Sequence, residues 1–229
     1  MCQPAQHKSD YYQQRNNPLM SWASGKVRAR VHKLFFDRFG VKGKILDFGV
    51  TQEMSSPDSN PLERMHPDKS RITAVGLEDG KHLEKIFPGL RFQQIEAGKA
   101  LPFTDEEFDV GYSNAVIEHI MGDDERVRVL SELLRVCKNL FFTTPNKYFP
   151  VDPHTAMPFF HFYEPLFYFL LEKKIISKFY DRTNLQPLSR GDLIRHLERI
   201  PGISYEIIPV WMFGWPSHWV VIVKKFAKA

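Results

Sequence analysis

The sequence predicts an α/β fold: a mostly parallel sheet of seven strands, covered on both faces and finished by a C-terminal antiparallel hairpin. Three observations carry this expectation. Short apolar runs alternate with helix-compatible segments from Lys44 to Thr144, the rhythm of right-handed βαβ units. Two terminal runs, Tyr205–Val210 and Trp219–Val223, are separated by too few residues for a helical crossover and so pair antiparallel. The stretch Leu101–His119, LPFTDEEFDVGYSNAVIEH, reads as a polar turn, a strand and an exit into a helix-compatible segment. In open α/β sheets ligands sit outside the carboxyl ends of the strands, so Ser113, Asn114, Glu118 and His119 fall where a ligand would lie.

Taken in order, residues 1–20 are polar, include Asn16-Asn17-Pro18, and predict a flexible arm. From Ser21 the residues Trp22, Val27, Val31, Leu34 and Phe35 recur at helical spacing, with Arg28, Arg30 and Lys33 between them, and predict an amphipathic helix up to Gly40. Lys44–Gly49 is a short apolar run closing on glycine, the pattern of a buried parallel strand and its exit turn. Val50–Ser70 reads as a loop with at most a short helix at PLERMHP. The second strand is expected at Arg71–Leu77, a helix at Lys81–Ile86, the third strand at Leu90–Ile95 and the fourth at Asp109–Ser113. Asp124–Val136 predicts a charged amphipathic helix with Val127, Leu130, Leu133 and Leu134 on one side. Asn139–Thr144 supplies a fifth strand, stopped by Pro145-Asn146. The whole reads as one domain, 1–229, with a substrate-capping insert over 152–200.

Bulk composition narrows the function. With 31 basic and 27 acidic side chains the formal charge is +4, and no Lys/Arg block is present, so nucleic acid is not an expected partner. Cys2 and Cys137 do not make a disulfide framework, and the N-terminus lacks an apolar leader, which points to the cytoplasm. The longest apolar stretch, Ala156–Leu171, is interrupted by Pro158, His161, Glu164 and Pro165 and is shorter than the roughly 20 residues a spanning helix needs. The nine histidines are scattered and no Cys/His group has ligand spacing, so no metal is expected. Nothing in the sequence signals an oligomeric state.

The succession "LPF, acidic turn, FD, strand, S-N-A-V-I-E-H" resembles the fourth-strand block of class I S-adenosylmethionine (SAM)-dependent methyltransferases of the methyltransferase-11 type. The segment Phe141–Phe162 and the ending Gly214–His218 are similar to a subset of that family. The resemblance implies a Rossmann-like class I methyltransferase fold, SAM as cofactor and methyl transfer as activity. Asp47, Phe48 and Gly49 then receive the methionine moiety, Gly49 because a Cβ would block close approach of backbone to ligand. Glu78, with Asp79 as the fallback, accepts from the ribose hydroxyls. The adenine side falls to Ala97, at the family's usual acidic position, and Gly98, which leaves Glu96 or backbone to meet the amino group and Leu101 and Phe103 to wall the ring, while Ser113 and Asn114 close the rim. Thr51 and Glu53 stand where the family continues with glycines. That departure keeps a catalytically silent, methyltransferase-like binding scaffold in view. A nicotinamide-dependent oxidoreductase is a further alternative, but it requires a G-x-G-x-x-G turn that Gly49 alone does not supply.

Transfer from a sulfonium is an in-line displacement in which positioning supplies much of the acceleration. A base is required where the acceptor carries a proton, and His119 and His154 are the candidates, with Asp152 orienting His154. Tyr148, His154, Phe159, Phe160 and His161 are the expected substrate contacts. Met157–Tyr180 is crowded with aromatic residues and carries Lys173-Lys174. That composition suits a lid over an apolar small-molecule acceptor, lipid-like or glycolipid, and peripheral contact with an anionic membrane.

Overall fold

The computed structural model describes residues 18–54, 59–152, 154–155, 157–177 and 180–226, with side chains from residue 25 onward. Of the arm expected over residues 1–20, residues 1–17, Cys2 with them, lie outside the described residues, as does the side chain of Trp22, while residues 18–20 belong to the first helix instead. Helix α1 spans Pro18–Phe39 and is followed by strand β1, Ile45–Phe48; a short helix α2, Pro61–Met65; and strand β2, Ile72–Gly76. Helix α3, Leu83–Ile86, leads to strands β3, Arg91–Gln94, and β4, Phe108–Asn114. Helix α4, Asp123–Val136, runs into β5, Cys137–Pro145; then come helices α5, Glu164–Glu172, and α6, Arg190–Glu198, and strands β6, Ile203–Met212, and β7, Trp215–Lys225.

These strands form one seven-stranded sheet in the order β3-β2-β1-β4-β5-β7-β6. β1 pairs in parallel with β2 and β4, β2 with β3 and β4 with β5; β7 runs antiparallel to both β5 and β6. An antiparallel strand inserted between the fifth and sixth departs from the 3-2-1-4-5-6 order of dinucleotide-binding sheets. The hairpin is tighter than its sequence suggests. Its turn is Phe213-Gly214, both at positive φ, the geometry that matches the strand twist, and the strands extend to Met212 and Trp215 on either side.

Two apolar layers follow from the alternation of side chains along the strands. On one face Val27, Val31 and Phe35 of α1, Leu62 of α2 and Leu83 of α3 pack on Ile45, Ala74, Tyr112, Phe141 and Ile222. On the other, Leu130, Leu133 and Leu134 of α4 and Leu193 and Leu197 of α6 pack on Leu46, Val75, Leu140, Phe142 and Val221. α6, with a capping box at Ser189 and Asp192, is therefore part of the helical layer over the sheet, although it lies inside 152–200. The separate cap is built on α5, where Phe167, Tyr168 and Leu171 close on Tyr180 and Leu185.

One local expectation is corrected. No regular helix follows β4, only a 3-10 turn at Ile117–His119. Ala115 and Gly122 take positive φ at either side; the Ile117 carbonyl accepts from the Ile120 amide and from Arg126 Nε, and the Glu118 carbonyl from the Gln186 amide.

Candidate functional site

The order β2-β1-β4 makes the C-terminal ends of β1 and β4 a topological switch point, where α/β sheets open a crevice. Two loops meet there. Gly49, at φ +96°, lies so close to Val116 that a Cβ would sit 2.5 Å from its Cγ2. The close approach that demands glycine is thus to Val116, on the loop leaving β4. Both Gly49 and Val50 donate their amides to the Val75 carbonyl, which turns the β1 exit across the end of β2.

The departure from glycine at Thr51 and Glu53 has a local explanation. Thr51 Oγ1 accepts from the Glu53 amide at 3.2 Å, and the Asn60 side chain clasps both the amide and the carbonyl of Thr51, at 3.0 and 2.7 Å. Asn60 itself adopts the left-handed conformation that asparagine tolerates. Side-chain hydrogen bonds hold a loop that flexible glycines shape elsewhere.

Asp47 and Ser113 sit at adjacent strand ends, yet their side chains occupy opposite faces of the sheet, because Asp47 shares the Ile45 face and Ser113 alternates from Tyr112 to the face of Phe142. The Asp47 carboxyl is buried against Glu63 of α2. Burial, and then the charge of Glu63, push it well above the usual carboxylate range, and burial raises Glu63 as well. Two facing buried acids of this kind share a proton. Phe48, partly buried, leans on the opposite layer.

Glu78 is half-buried two residues beyond β2, whereas exposed Asp79 accepts the Lys81 amide at 2.9 Å and caps the approach to α3. Ala97 and Gly98 lie on an exposed turn, Gly98 at φ +78°. Leu101 is buried in the core, its amide donating to Glu132 and its carbonyl accepting from Arg135, and Phe103 packs edge-on to Phe108. The Ser113 hydroxyl is buried with no protein partner, while Asn114 Oδ1 accepts from Thr143 Oγ1 at 2.8 Å.

Beside this rim the fold gathers a polar cluster from three segments far apart in sequence. Glu118 and His119 come from the turn after β4, Thr144 from the end of β5, and Asp152, His154 and Tyr180 from the cap. Glu118 is 1 % exposed; its Oε2 accepts from Thr144 Oγ1 at 3.0 Å, and its Oε1 has no hydrogen-bond partner and faces His154 Nε2 at 3.8 Å. His119 Nδ1 lies 2.7 Å from the Asn184 carbonyl, and His154 Nδ1 lies 3.4 Å from Asp152 Oδ1. Tyr180 stacks on His119 and stands edge-on to His154, and the two imidazoles are 5.2 Å apart. Asp152 is buried, which disfavours its charge, but hydrogen bonds from His154 and Thr155 hold its carboxyl below the usual value.

Of the expected substrate contacts, Tyr148 and Phe159 are exposed and both touch Phe162, whereas Phe160 packs against the cap core. His161 is buried and its Nε2–H donates to the Phe149 carbonyl, a structural bond within the cap. Sequence reasoning passed over Glu63, Thr144, Tyr180 and Arg126. Arg126 is fully buried and ties the Ile117 carbonyl to Asp123 and to Gln186 of the cap. Its position on the inner stripe of a predicted helix, where arginine is out of place, was the available signal.

Residues 66–140 match the family model of a methyltransferase domain. An uncharacterized protein of Mycobacterium tuberculosis is 43% identical over 63 residues, 27% of this chain and 22% of that protein. The matched segment thus spans only that small part of its curated relative's length. A SAM-dependent methyltransferase of Thermotoga maritima, described as a possible histamine N-methyltransferase, superimposes with a TM-score of 0.59 at 15% identity over 96% of each chain. The 1,6-didemethyltoxoflavin-N1-methyltransferase of Burkholderia thailandensis, solved with bound 1,6-didemethyltoxoflavin and S-adenosylhomocysteine, gives 0.58 at 13% identity, over 100% of this chain and 93% of that one. At such identities the likeness is one of fold.

Proposed function

We propose that this chain, a class I methyltransferase by fold and by its methyltransferase-domain segment, moves the methyl group of SAM to a small-molecule acceptor of apolar, lipid-like character. The observation that carries the reading is the sheet order 3-2-1-4-5-7-6, with the matched segment running from just after α2 into β5 and including β4, one side of the switch point. In this reading Gly49 and the loop after Asp47-Phe48 receive the methionine end, Glu78 with Asp79 the ribose, Ala97, Gly98 and Leu101 the adenine, and Ser113 and Asn114 the rim nearest the sulfonium. The Ser113 hydroxyl, buried and unpartnered, has a donor to offer.

The acceptor's lone pair forms the new bond to the methyl carbon as the carbon–sulfur bond breaks; sulfur keeps the electron pair and S-adenosylhomocysteine leaves. The acceptor's proton is taken at the cluster of His119 and His154, with Asp152 orienting His154. The apolar acceptor is favoured by the exposed Tyr148, Phe159, Phe162, Tyr163 and Phe169 on the cap, bordered by Lys147 and Lys173. Exposed Lys173 on this border supports peripheral contact with an anionic membrane, whereas Lys147 is largely covered and paired with Glu164, and no helix among the described residues is long and apolar enough to cross one.

Calorimetric titration with SAM and with S-adenosylhomocysteine tests the cofactor, and methyl transfer from labelled SAM to a panel of hydroxylated lipids and polar metabolites tests the acceptor. Binding of neither nucleoside leaves a silent scaffold; transfer to polar acceptors alone, with no sedimentation on anionic vesicles, removes the apolar preference.

A further inference from the structure

The cluster after β4 has the arrangement of a metal centre. One nitrogen of His119, one of His154 and one carboxylate oxygen of Glu118 all lie within 4.8 Å of one another. The tautomers follow from the partners. A carbonyl and a carboxylate only accept, so His119 Nδ1–H donates to Asn184 O and His154 Nδ1–H donates to Asp152 Oδ1. In the neutral rings this assigns the lone pair to Nε2 in both. His154 Nε2 then faces Glu118 Oε1, an oxygen that is buried and lacks a hydrogen bond, at 3.8 Å. Two lone-pair atoms turned toward each other out of water repel unless a proton or a metal cation lies between them.

We infer that Glu118, His119 and His154 bind one first-row divalent transition cation through Glu118 Oε1 and the two Nε2 atoms. Three features support this assignment over a plain hydrogen-bonded cluster. The ligand set is two imidazoles and a carboxylate, which suits zinc, iron, cobalt or manganese and leaves coordination positions open. The outer partners are those a metal-ligating histidine uses, a backbone carbonyl for one ring and a carboxylate for the other, while Thr144 fixes the second oxygen of Glu118. The spacing is near that of a bound ion, since ligand atoms about 2.1 Å from a tetrahedral ion stand about 3.4 Å apart, against 3.8 Å for the Glu118–His154 pair and no more than 4.8 Å among all three atoms. The sequence hides the site because its ligands come from two loops, and only the return of the cap over the end of β5 joins them.

With the cation bound, both Nε2 lone pairs are taken, so His119 and His154 act as ligands in place of the base role they have without it; the open positions would receive an acceptor oxygen and lower its proton affinity, so that its proton can pass to solvent. That consequence rests on the methyl-transfer reading; cation binding does not. The test uses tag-free full-length protein stripped with chelator, titrated with Zn²⁺, Co²⁺, Mn²⁺ and Mg²⁺ by calorimetry, with the visible spectrum of the Co²⁺ form recorded. One equivalent of Zn²⁺ or Co²⁺ is expected to bind at least tenfold more weakly to Glu118→Gln and to His154→Ala, while both variants keep wild-type affinity for S-adenosylhomocysteine. Zn²⁺ binding that neither substitution changes, or no binding of any of the four ions, overturns the inference. Should S-adenosylhomocysteine bind while no metal does, the cation site fails and the methyl-transfer reading stands; metal binding without nucleoside binding leads to the opposite conclusion.

Discussion

A Cβ built on Gly49 would lie 2.5 Å from Val116 Cγ2 and 2.9 Å from Cγ1, so the loop leaving β4 closes directly on the loop leaving β1. Gly49→Ala therefore carries two penalties, a collision with Val116 and a left-handed φ of +96°, the second costing roughly 1–3 kcal/mol. The variant is expected to melt lower and to bind S-adenosylhomocysteine at least tenfold more weakly. Adding Val116→Ala removes the collision alone, so melting curves should recover in part; complete recovery would mean that backbone strain plays no role.

The acid pair gives the protein a pH dependence of defined sign. Because the folded pKa of Asp47 is raised above 3.8, the native state holds a proton that the unfolded chain gives up. Stability from this group is full at low pH and declines as pH climbs above the ordinary carboxylate value. Glu63→Gln, which removes one of the two facing acids, is expected to flatten the decline that sets in above the ordinary carboxylate range and to leave the protein more stable than wild type at neutral pH. Urea unfolding at several pH values measures both, and an unchanged slope would argue against a shared proton.

His32 works in the other direction. It is buried beside Tyr112, whose hydroxyl lies 3.2 Å from His32 Nε2, and burial and then the Arg28 charge bring its pKa from 6.5 to about 4. The unfolded chain takes up a proton in this interval and the folded one does not, so stability present above pH 6.5 is lost as pH falls toward 4. The full interval is worth on the order of 3 kcal/mol. His32→Gln, which keeps a polar partner for Tyr112, should unfold with a shallower acid limb when followed by near-ultraviolet circular dichroism.

Arg126 holds the turn carrying Glu118 and His119 against the cap. Arg126→Lys keeps the charge but loses the fork that reaches three segments, at a cost of roughly 2–4 kcal/mol. Its expected signature is positional: S-adenosylhomocysteine affinity within threefold of wild type, but methyl transfer reduced at least tenfold. Equal losses in both would make Arg126 a general stability residue.

The sheet and its order of elements were legible in the chain because burial on both faces writes parallel strands as short apolar runs, and Lys44–Gly49, Arg71–Leu77 and Asn139–Thr144 carry that record within a residue or two of the strands formed. The crossing helices were legible for the same reason: α4 shows its buried leucines at helical spacing. The placement of Gly49, Glu78 and Ser113 at or just beyond strand ends was legible as well, since it depends on the strands alone and not on the path of the loops.

What only the tertiary structure decided is where side chains point and which distant loops meet. Asp47 reads as an acid facing a ligand, and it becomes half of a buried pair because Glu63 of α2 packs against it. Glu118 and His154 are separated by a helix and a strand in sequence and stand 3.8 Å apart in space, because α4 returns the chain through the sheet and the cap folds back over the end of β5. Periodicity records whether a residue is buried, which depends on its own element; partnership depends on the crossing of elements, and no local pattern encodes that.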